Sequence, residues 1–251
     1  MYIAETNSTN TLLLEQYSDS PNLFTIRTDF QTAGRGQQGN GWESERGANL
    51  LFSTLLRTPD VPAGGQFFIA MAVSVALCDA ISRVAGELQE RLCIKWPNDI
   101  YAGDKKLAGI LIENTLEGGH IAFSIAGAGL NVNQKIWHGS APNPTSLLLQ
   151  TGKRHKPQAL LDAFLESLPA RLADKEGTRS TYMERLYRRK GLWPYAEREV
   201  STAPTMNSSD MSGAFMAEIA DVTQQGELVL RMEDGEQKRF HFKQIRFVIK
   251  A

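Results

Sequence analysis

A glycine-rich loop with a single arginine is the part of the chain best suited to chemistry. Residues 31–42 read QTAGRGQQGNGW, with four glycines, and follow the strand-like run 24–29. Glycine lets a backbone approach another group closely, and successive exposed N–H groups in tight turns form concave sites for phosphate or carboxylate oxygens. Arg35 adds a fixed positive charge there. The loop therefore indicates an anion-binding site.

A second cluster of polar residues surrounds two lysines. Lys95 begins the sequence KWPND and Lys106 begins KLAG. Proline and the Asn-Asp pair end the first segment in a turn, and a strand begins at Leu107, so the two lysines are predicted to approach one another across a hairpin. Two cations near a glycine-rich loop describe a polyanion site. A surface hairpin with solvated lysines is the alternative, because lysine is common on protein surfaces.

Two further segments offer hydrogen-bonding groups. An apolar strand-like run ends in GAGLN, where Gly127 and Gly129 let a ligand or another backbone pass closely and Asn131 can both donate and accept hydrogen bonds. A bulged strand end is the alternative interpretation. Residues 8–10 read STN before a helix-like segment. Their plainest role is to cap that helix, and their remaining groups can recognise a small polar ligand.

Composition and spacing argue against several classes of protein. The 27 basic and 28 acidic residues nearly cancel, so the chain has no general attraction to nucleic acid or membranes. No GKS or GKT follows the glycine loop and no GxGxxG opens a strand–helix unit, which disfavours P-loop and dinucleotide folds. The four histidines lack metal-ligand spacing. Cys78 and Cys93, without CxxC spacing, are expected to be reduced packing residues in a cytosolic protein.

Three segments bear on membranes and nucleic acids. Residues 1–10 lack the charged and apolar regions of a signal peptide. The apolar run 67–78 is too short to span a bilayer and ends at Asp79, so we expect a buried central helix. The run 179–190 is locally basic and is predicted to form a solvated helix face. A nucleic-acid-binding function would depend on this last stretch alone.

Helix-like and strand-like segments alternate up to about residue 175, as in a mixed α/β domain. Helices are predicted at 9–17, 65–84 and 157–173, and strands near 24–29, 49–56, 92–95, 107–113 and 121–132. The irregular stretch 133–144 has the length of a lid, and Trp137 within it would either cap an aromatic ligand or pack inward. After Trp193 short alternating runs predict a small β-barrel, with Asp234 and Gly235 as a two-residue hairpin turn.

Taken in order, these motifs resemble those of the biotin protein ligases. The matching segments are STN (8–10), QTAGRGQQGNGW (31–42), KWPNDIYAGDKKLAGILIE (95–113) and GAGLNVN (127–133). The resemblance implies a class II synthetase-like α/β domain with a mixed sheet flanked by helices over residues 1–190, and an SH3-like β-barrel over 191–251. Because only seven residues precede STN, the chain resembles the monofunctional class that has no DNA-binding domain.

The resemblance implies a two-step reaction. Biotin and MgATP would form biotinyl-5′-AMP and pyrophosphate, and the biotinyl group would pass to one lysine of a biotin carboxyl carrier protein domain. ATP and Mg²⁺ would act as co-substrates, without a tightly bound prosthetic group or a protein metal site. The expected location is cytoplasmic, with no DNA or membrane partner. A homodimer is possible, since relatives dimerise through sheet edges, but no sequence feature decides it.

The resemblance also implies the role of each matching residue. Lys106 and Arg35 would be catalytic. Biotin would be bound by Ser8, Thr9, Asn10, Gln31, Gly34, Arg35, Lys106 and Gly109, and the nucleotide by Gly36, Gln37, Trp42, Lys95, Asn98 and Asn131. Asp99 would orient the acceptor lysine, although it could equally cap its own turn.

One position departs from the family pattern. Most relatives have a second arginine where this chain has Gln37, and that arginine helps to hold the acyl-adenylate. Either another cation substitutes, with Lys95 as the nearest candidate, or the intermediate is held less tightly. The two remaining hypotheses for the whole chain are a lipoate ligase or octanoyl transferase, which share the core fold, and a catalytically silent module that sequesters biotin or its carrier.

Overall fold

A seven-stranded sheet is the framework of the first part of the chain. The computed structural model describes residues 1–37, 40–58, 60–139, 143–198 and 213–249. The strands of this sheet are β1 (Tyr2–Thr6), β2 (Thr25–Gln31), β3 (Leu50–Leu56), β4 (Leu92–Lys95), β5 (Asp99–Ala102), β6 (Lys105–Glu117) and β7 (His120–Leu130). Their spatial order is β1-β2-β3-β7-β6-β5-β4. Only the β1–β2 pair is parallel, so the sheet is mixed, as predicted.

Helices cover both faces of this sheet. They are α1 (Thr9–Gln16), α2 (Phe67–Val84), α3 (Leu147–Thr151), α4 (Pro157–Ala173) and α5 (Lys175–Glu184). Leu13 of α1 packs with Leu55 on one face, whereas Phe52 meets Phe164 of α4 on the other, with ring centroids 5.0 Å apart. Every residue of β3 is buried. Alternate side chains of one central strand therefore contribute to two separate apolar layers.

Helix α2 is the buried central helix that the sequence predicted. The expectation that it is too short to span a bilayer was wrong, because the helix extends beyond the apolar run 67–78. With the preceding short turn, the helical stretch Ala63–Val84 contains an 18-residue window whose mean hydropathy is 1.8, so it is long and apolar enough to cross a membrane. Two thirds of that window is buried within the protein, however (67%). Helices α4 and α5 and the sheet cover it, which accounts for its apolar composition.

The predicted hairpin between Lys95 and Lys106 was wrong, because an additional strand separates them, but the predicted approach of the two lysines is confirmed, since both lie beside Asp99. The turn after Lys95 contains a cis peptide bond before Pro97, and β5 begins at Asp99, opposite Lys95. A second turn at Gly103, whose φ is +60°, leads into β6. The segment is thus a three-stranded meander. Strands β1 and β5 and helix α3 were not predicted, since they are short or lack a clear apolar period. Helix α5 overlaps the first part of the helix face predicted over 179–190, but it ends at Glu184.

A second, five-stranded antiparallel sheet follows in the last part of the chain. It contains β8 (Trp193–Glu197), β9 (Ala214–Val222), β10 (Leu228–Met232), β11 (Gln237–Phe240) and β12 (Ile245–Phe247), in the order β11-β10-β9-β8-β12. The β10–β11 hairpin is present, but its turn is not the predicted two-residue type. The amide of Gly235 donates to Met232 O, and the amide of Met232 donates to Glu236 O. These bonds enclose three residues, and only Gly235 has positive φ.

The basic stretch 179–190 joins the two sheets, so the prediction of a solvated helix face was wrong for most of its arginines. Arg179 pairs with Asp221 at 2.6 Å. Arg188 donates to Val248 O at 2.9 Å, and Arg189 donates to Ile219 O at 2.5 Å. These arginines bind the carbonyl and carboxylate groups of the second sheet, which explains why they cluster in sequence.

The cysteines behave as packing residues. Cys78 is buried, Cys93 is half-buried, and both are free. Burial raises the pKa of each thiol to about 12, which keeps both protonated and poorly reactive at neutral pH. The described residues contain no cluster of three or more histidine, cysteine or acidic side chains that could hold a metal ion.

Candidate active site

The register of three central strands builds the floor of the site. Ser53 of β3 lies opposite Gly127 of β7, which lies opposite Leu111 of β6, and in the next row Gly129 lies opposite Gly109. Residues two apart along a strand share a face, so these positions are on one side of the sheet. Gly127 in one row and the Gly109–Gly129 pair in the next leave a depression there. The N-terminus of α1 and the glycine-rich loop border it.

That depression is a cavity of about 160 Å³. Most of the residues predicted for the site line it, together with residues that the sequence did not indicate. The predicted members are Ser8, Thr9, Asn10, Gln31, Arg35, Gly36, Gln37, Trp42, Asp99, Lys106 and Gly109. The structure thus brings together four sequence segments that are separated by up to about a hundred residues.

One end of the cavity is a network of buried polar groups. Gln31 Oε1 accepts from the Thr9 amide at 2.8 Å and from the Thr9 hydroxyl at 3.1 Å. The Ser53 hydroxyl lies 2.6 Å from Thr9 Oγ1 and 2.5 Å from Asn10 Oδ1. A hydroxyl carries one proton, so Ser53 can donate to only one of these oxygens at a time. The network therefore retains acceptor capacity for a ligand that brings N–H groups.

Trp42 and Asn10 occupy the space into which a side chain would project if the glycines of β6 and β7 were replaced by other residues. A Cβ at Gly129 would be 2.4 Å from the Trp42 ring, and one at Gly109 would be 2.8 Å from it. A Cβ at Gly127 would be 2.0 Å from Asn10 Oδ1. The glycines of β6 and β7 are thus required by close contact, and the indole forms one wall of the cavity.

Each of the two site cations is paired with a carboxylate of the protein. Lys106 Nζ lies 2.7 Å from Asp99 Oδ2, and Arg35 Nη2 lies 3.1 Å from Glu113 Oε2. The same Glu113 oxygen accepts from the Asn10 amide at 2.7 Å. Glu113 therefore links the cation of the glycine loop to the polar end of the cavity.

The glycine loop is closed by its own backbone bonds. The amide of Gly36 donates to Asn40 O at 2.6 Å, and the amide of Trp42 donates to Gly34 O at 2.9 Å. A Cβ at Gly34 would be 2.8 Å from Trp42 O. Gly34 is therefore packed against the backbone of Trp42 and does not line the cavity. Its predicted part in ligand binding stays a prediction.

Three other predicted residues lie beside the cavity without lining it. Asn98 accepts from Gln37 at 3.0 Å and donates to Ile110 O at 3.3 Å. Lys95 Nζ lies 4.9 Å from the ring centroid of Phe247 in the second sheet. Burial lowers the pKa of Lys95 to about 8, and the neighbouring Asp99 offsets part of that effect. Asn131 is buried at the end of β7.

Two polar atoms near the site lack a partner within the described ranges. They are Trp42 Nε1, a donor, and Asn131 Oδ1, an acceptor. Buried polar groups are nearly always hydrogen-bonded to protein, water or ligand. Trp137 is half-buried and does not line the cavity, and residues 140–142 of the predicted lid 133–144 lie outside the described part of the chain.

Of the site residues that sequence reasoning missed, three bear on its chemistry, and apolar lining residues such as Phe52 and Ile110 were also not predicted. Ser53 and Glu113 lie inside strands, where their polar character is the only signal, and strand register is needed to place them beside Asn10. Phe242 comes from the second sheet and lines the same cavity. Together the residues offer an acceptor-rich pocket, a narrow aromatic-walled channel and two cations. This arrangement suits a small polar ring carrying a tail that ends in an anionic group.

Comparisons with known proteins point in the same direction. Residues 2–131 match the Biotin/lipoate A/B protein ligase family. The chain is 30% identical over 193 residues to the bifunctional ligase/repressor BirA of Escherichia coli K12, covering 76% of this chain and 55% of that protein. It is 34% identical over 148 residues to a Mycobacterium tuberculosis biotin-[acetyl-CoA-carboxylase] ligase, covering 58% of this chain and 53% of the relative. The chain thus spans about half the length of these relatives.

A solved structure shares the whole fold. The Aquifex aeolicus biotin protein ligase in complex with biotin and ATP superposes with a TM-score of 0.75 at 21% identity, covering 98% of both chains. The likeness therefore includes both sheets. At this level of identity, the superposition is evidence for the fold alone.

Proposed function

The chain belongs to the Biotin/lipoate A/B protein ligase family, and from that premise we propose that it is an ATP-dependent biotin protein ligase. It activates biotin to biotinyl-5′-AMP and transfers the biotinyl group to a lysine of a biotin carboxyl carrier protein. One observation carries the proposal: a single cavity joins the acceptor-rich pocket around Thr9 and Gln31 to the Lys106–Asp99 pair.

Biotin fits the polar end of the cavity through its ureido ring. The ring N–H groups donate to the acceptors of Asn10 and the Ser8–Thr9 segment, and Gln31 holds Thr9 in place. A buried polar ring has to be paired in this way. The tail then runs between the Trp42 ring and the glycines of β6 and β7, towards Lys106. A bare alkyl or dithiolane group would leave the acceptors unpaired, which argues against octanoate and lipoate.

Lys106 and Arg35 promote the first step by offsetting negative charge. The biotin carboxylate attacks the α-phosphate of ATP, so two anions must meet and charge develops between them. Both cations are at hand beside the cavity, and Mg²⁺ enters with the phosphates of ATP as part of the substrate. Asp99 and Glu113 hold the two cations in the absence of these anions.

The nucleotide lies beyond Lys106, next to Gly36, Gln37 and Asn98. The unpaired Trp42 Nε1 and Asn131 Oδ1 support an additional polar group in this neighbourhood. Lys95 points towards Phe247 and does not line the cavity. This position supports the second alternative for Gln37, in which the acyl-adenylate is held less tightly than where an arginine is present.

In the second step the acceptor lysine approaches Asp99. The carboxylate can orient the incoming amine while Lys106 stays with the phosphate. We further propose a cytoplasmic enzyme that can form a homodimer, with an SH3-like barrel formed by the second sheet and a class II synthetase-like catalytic domain. DNA binding is not part of the proposal, because Arg179, Arg188 and Arg189 bind groups of the second sheet.

Biotin-dependent exchange of labelled pyrophosphate into ATP tests the proposal. Wild-type protein is compared with Lys106→Ala, and lipoate or octanoate replaces biotin in parallel assays. We expect exchange with biotin alone and its loss in the variant. Exchange with lipoate or octanoate would instead favour the other branch of the family, and no exchange with any acid would favour a binding module without catalysis.

A further inference from the structure

The second sheet contributes an exposed aromatic side chain to the cavity. Phe242 lies between β11 and β12, lines the cavity together with Asp99 and Lys106, and is 42% exposed. An exposed aromatic ring beside two ionised side chains offers apolar contact area to a ligand that enters from the surface. Every other wall of the cavity comes from the first sheet and its loops. The polar pocket and the two cations are therefore complete without Phe242.

The turn that presents Phe242 is strained. The amide of Gln244 donates to His241 O at 3.0 Å, which closes a four-residue turn, and Lys243 occupies its third position with φ of +86°. Glycine or asparagine is the usual residue there, because a Cβ disfavours positive φ. Backbone strain of this kind is concentrated at functional sites. This turn geometry places Phe242 at the second position of the turn, directly before Lys243.

Trp96 holds Phe242 beside the turn between β4 and β5. The two rings meet edge to face with centroids 5.9 Å apart. Trp96 is itself buried, and its Nε1 donates to Gly226 O of the second sheet at 3.0 Å. Since Trp96 stands in the turn that ends at Asp99, Phe242 is held on the side of the cavity where the Asp99 carboxylate lies.

We propose that the 241–244 turn receives the protein acceptor, with the Phe242 ring in contact with the entering lysine side chain. The inference rests on the proposed function and assigns the surface used in its second step. A lysine side chain combines a methylene stem with a terminal ammonium group, and an aromatic face binds both. Beyond the ring the ammonium group meets Asp99 and gives a proton to its carboxylate, and the resulting amine attacks the acyl carbon and releases its second proton as AMP leaves. A C–N bond forms, and AMP leaves with the electrons of the C–O bond.

Charge around this turn indicates the chemistry of the partner. Arg239 and Lys243 are exposed on either side of Phe242 in sequence, and residues 238–246 contain no acidic residue. Because β11 and β12 lie at opposite edges of the second sheet, the positive charges that bear on the turn are those of these two residues. The acceptor that fits is an acidic protein surface with a lysine on a protruding loop, because its carboxylates would complement Arg239 and Lys243.

Separate measurement of the two half-reactions distinguishes binding of the protein acceptor from binding of biotin and ATP. We would measure pyrophosphate exchange and, separately, transfer from the preformed adenylate to a biotin carboxyl carrier domain. Phe242→Ala should raise the KM for the carrier about tenfold, as expected for an aromatic contact at the centre of an interface. Because Phe242 lines the cavity, exchange and release of the biotinyl group to hydroxylamine are measured in the same variant, and any loss there should be at least about fivefold smaller than the loss of transfer to the carrier.

Two further variants serve as controls. Phe242→Tyr keeps the ring and should transfer biotin like the wild type. Met216→Ala removes another exposed apolar side chain of the same sheet, 37% exposed and not in the cavity lining, and should change neither half-reaction. Lys243→Glu should raise the KM for the carrier at low salt and lose that effect at high salt.

The results can overturn the inference in two ways. An unchanged KM for the carrier in Phe242→Ala would show that the acceptor docks elsewhere. A parallel loss of exchange and transfer would make Phe242 a wall for the small substrates. If the wild type shows no exchange at all, the proposed function fails and the inference fails with it, and this outcome is seen before any variant is made.

Discussion

At the scale of single residues, the important feature is that both site cations are held by carboxylates before any substrate is bound. Glu113 has two contacts through one oxygen, with Arg35 and with Asn10. It therefore connects the group that meets the substrate anion with the group that meets the polar ring. The Arg35 side chain is 46% exposed, so without this anchor it would sample many rotamers.

Glu113→Gln tests whether this anchor matters. The amide can still accept a hydrogen bond from Asn10, but the charge that holds Arg35 is lost. A half-exposed ion pair contributes about 1 kcal/mol, so kcat/KM for biotin in pyrophosphate exchange should fall about fivefold. Glu117→Gln, four residues along the same strand and exposed, is the matched control and should have no effect. Tighter biotin binding in Glu113→Gln would mean that Glu113 competes with the substrate for Arg35.

Lys95 predicts a dependence of stability on pH. Its pKa is about 8 in the folded protein and near the ordinary lysine value when unfolded, so the unfolded chain binds more protons between these limits. Lys95 therefore favours the folded state more strongly as pH rises from 8 to 10, whereas the buried thiols of Cys78 and Cys93 act in the opposite direction, so the effect of Lys95 is read from the difference between the wild type and a Lys95 variant. Lys95→Met removes the buried charge and should stabilise the protein by about 1 kcal/mol at pH 7. Urea unfolding at pH 7 and pH 9.5 should show this difference shrinking, and a constant difference would contradict the assignment.

The residues most accessible from sequence were those in uninterrupted motifs. Arg35, Lys106 and the STN segment could be recognised because glycine, lysine and small polar residues are grouped there. Ser53 and Glu113 stand alone within strands, and only the register of β3, β6 and β7 brings them to Asn10. Phe242 could not be found, since nothing local relates it to a cavity in the other sheet.

At the scale of secondary-structure elements, the glycines of β6 and β7 set the width of the cavity. Gly129→Ala would place a Cβ 2.4 Å from the Trp42 ring, so the indole must move into the cavity. Overpacking of this size costs about 1 to 3 kcal/mol, so biotin affinity should fall by about five- to one-hundred-and-fifty-fold in titration calorimetry. Gly64→Ala, where a new Cβ meets nothing within 4 Å, is the control. Equal effects of the two substitutions would show that the contact with Trp42 is not the cause.

Elements with a long apolar period were predicted well, and short ones were not. Helix α4 occupies 157–173 as expected, because leucines and a phenylalanine recur at helical spacing after Pro157. Strand β5 has four residues and follows a proline turn, so its sequence resembles a loop. Missing it led to the wrong pairing of Lys95 and Lys106. Local patterns define individual strands, but tertiary pairing decides their neighbours.

At the scale of the whole molecule, arginines after α5 join the two sheets. Arg189 donates to Ile219 O through a partly buried bond between a charged donor and a backbone carbonyl. Loss of such a bond costs about 2 kcal/mol, so Arg189→Ala should lower the free energy of unfolding by that amount and speed hydrogen exchange in β9. Arg83→Ala breaks an ion pair whose partners are 64% and 62% exposed, and should cost less than about 1 kcal/mol. Equal losses would contradict a specific joining role.

The bond between Trp96 and Gly226 has a consequence for biosynthesis. Its two partners are 130 residues apart, so the indole leaves the ribosome well before its acceptor exists. At about 5 to 20 residues per second, that interval is on the order of ten seconds. During this time the turn that leads to Asp99 lacks both its hydrogen-bond acceptor and the Phe242 ring. A nascent chain can therefore form the seven-stranded sheet early, while the surroundings of its catalytic carboxylate are completed only when the second sheet has been translated.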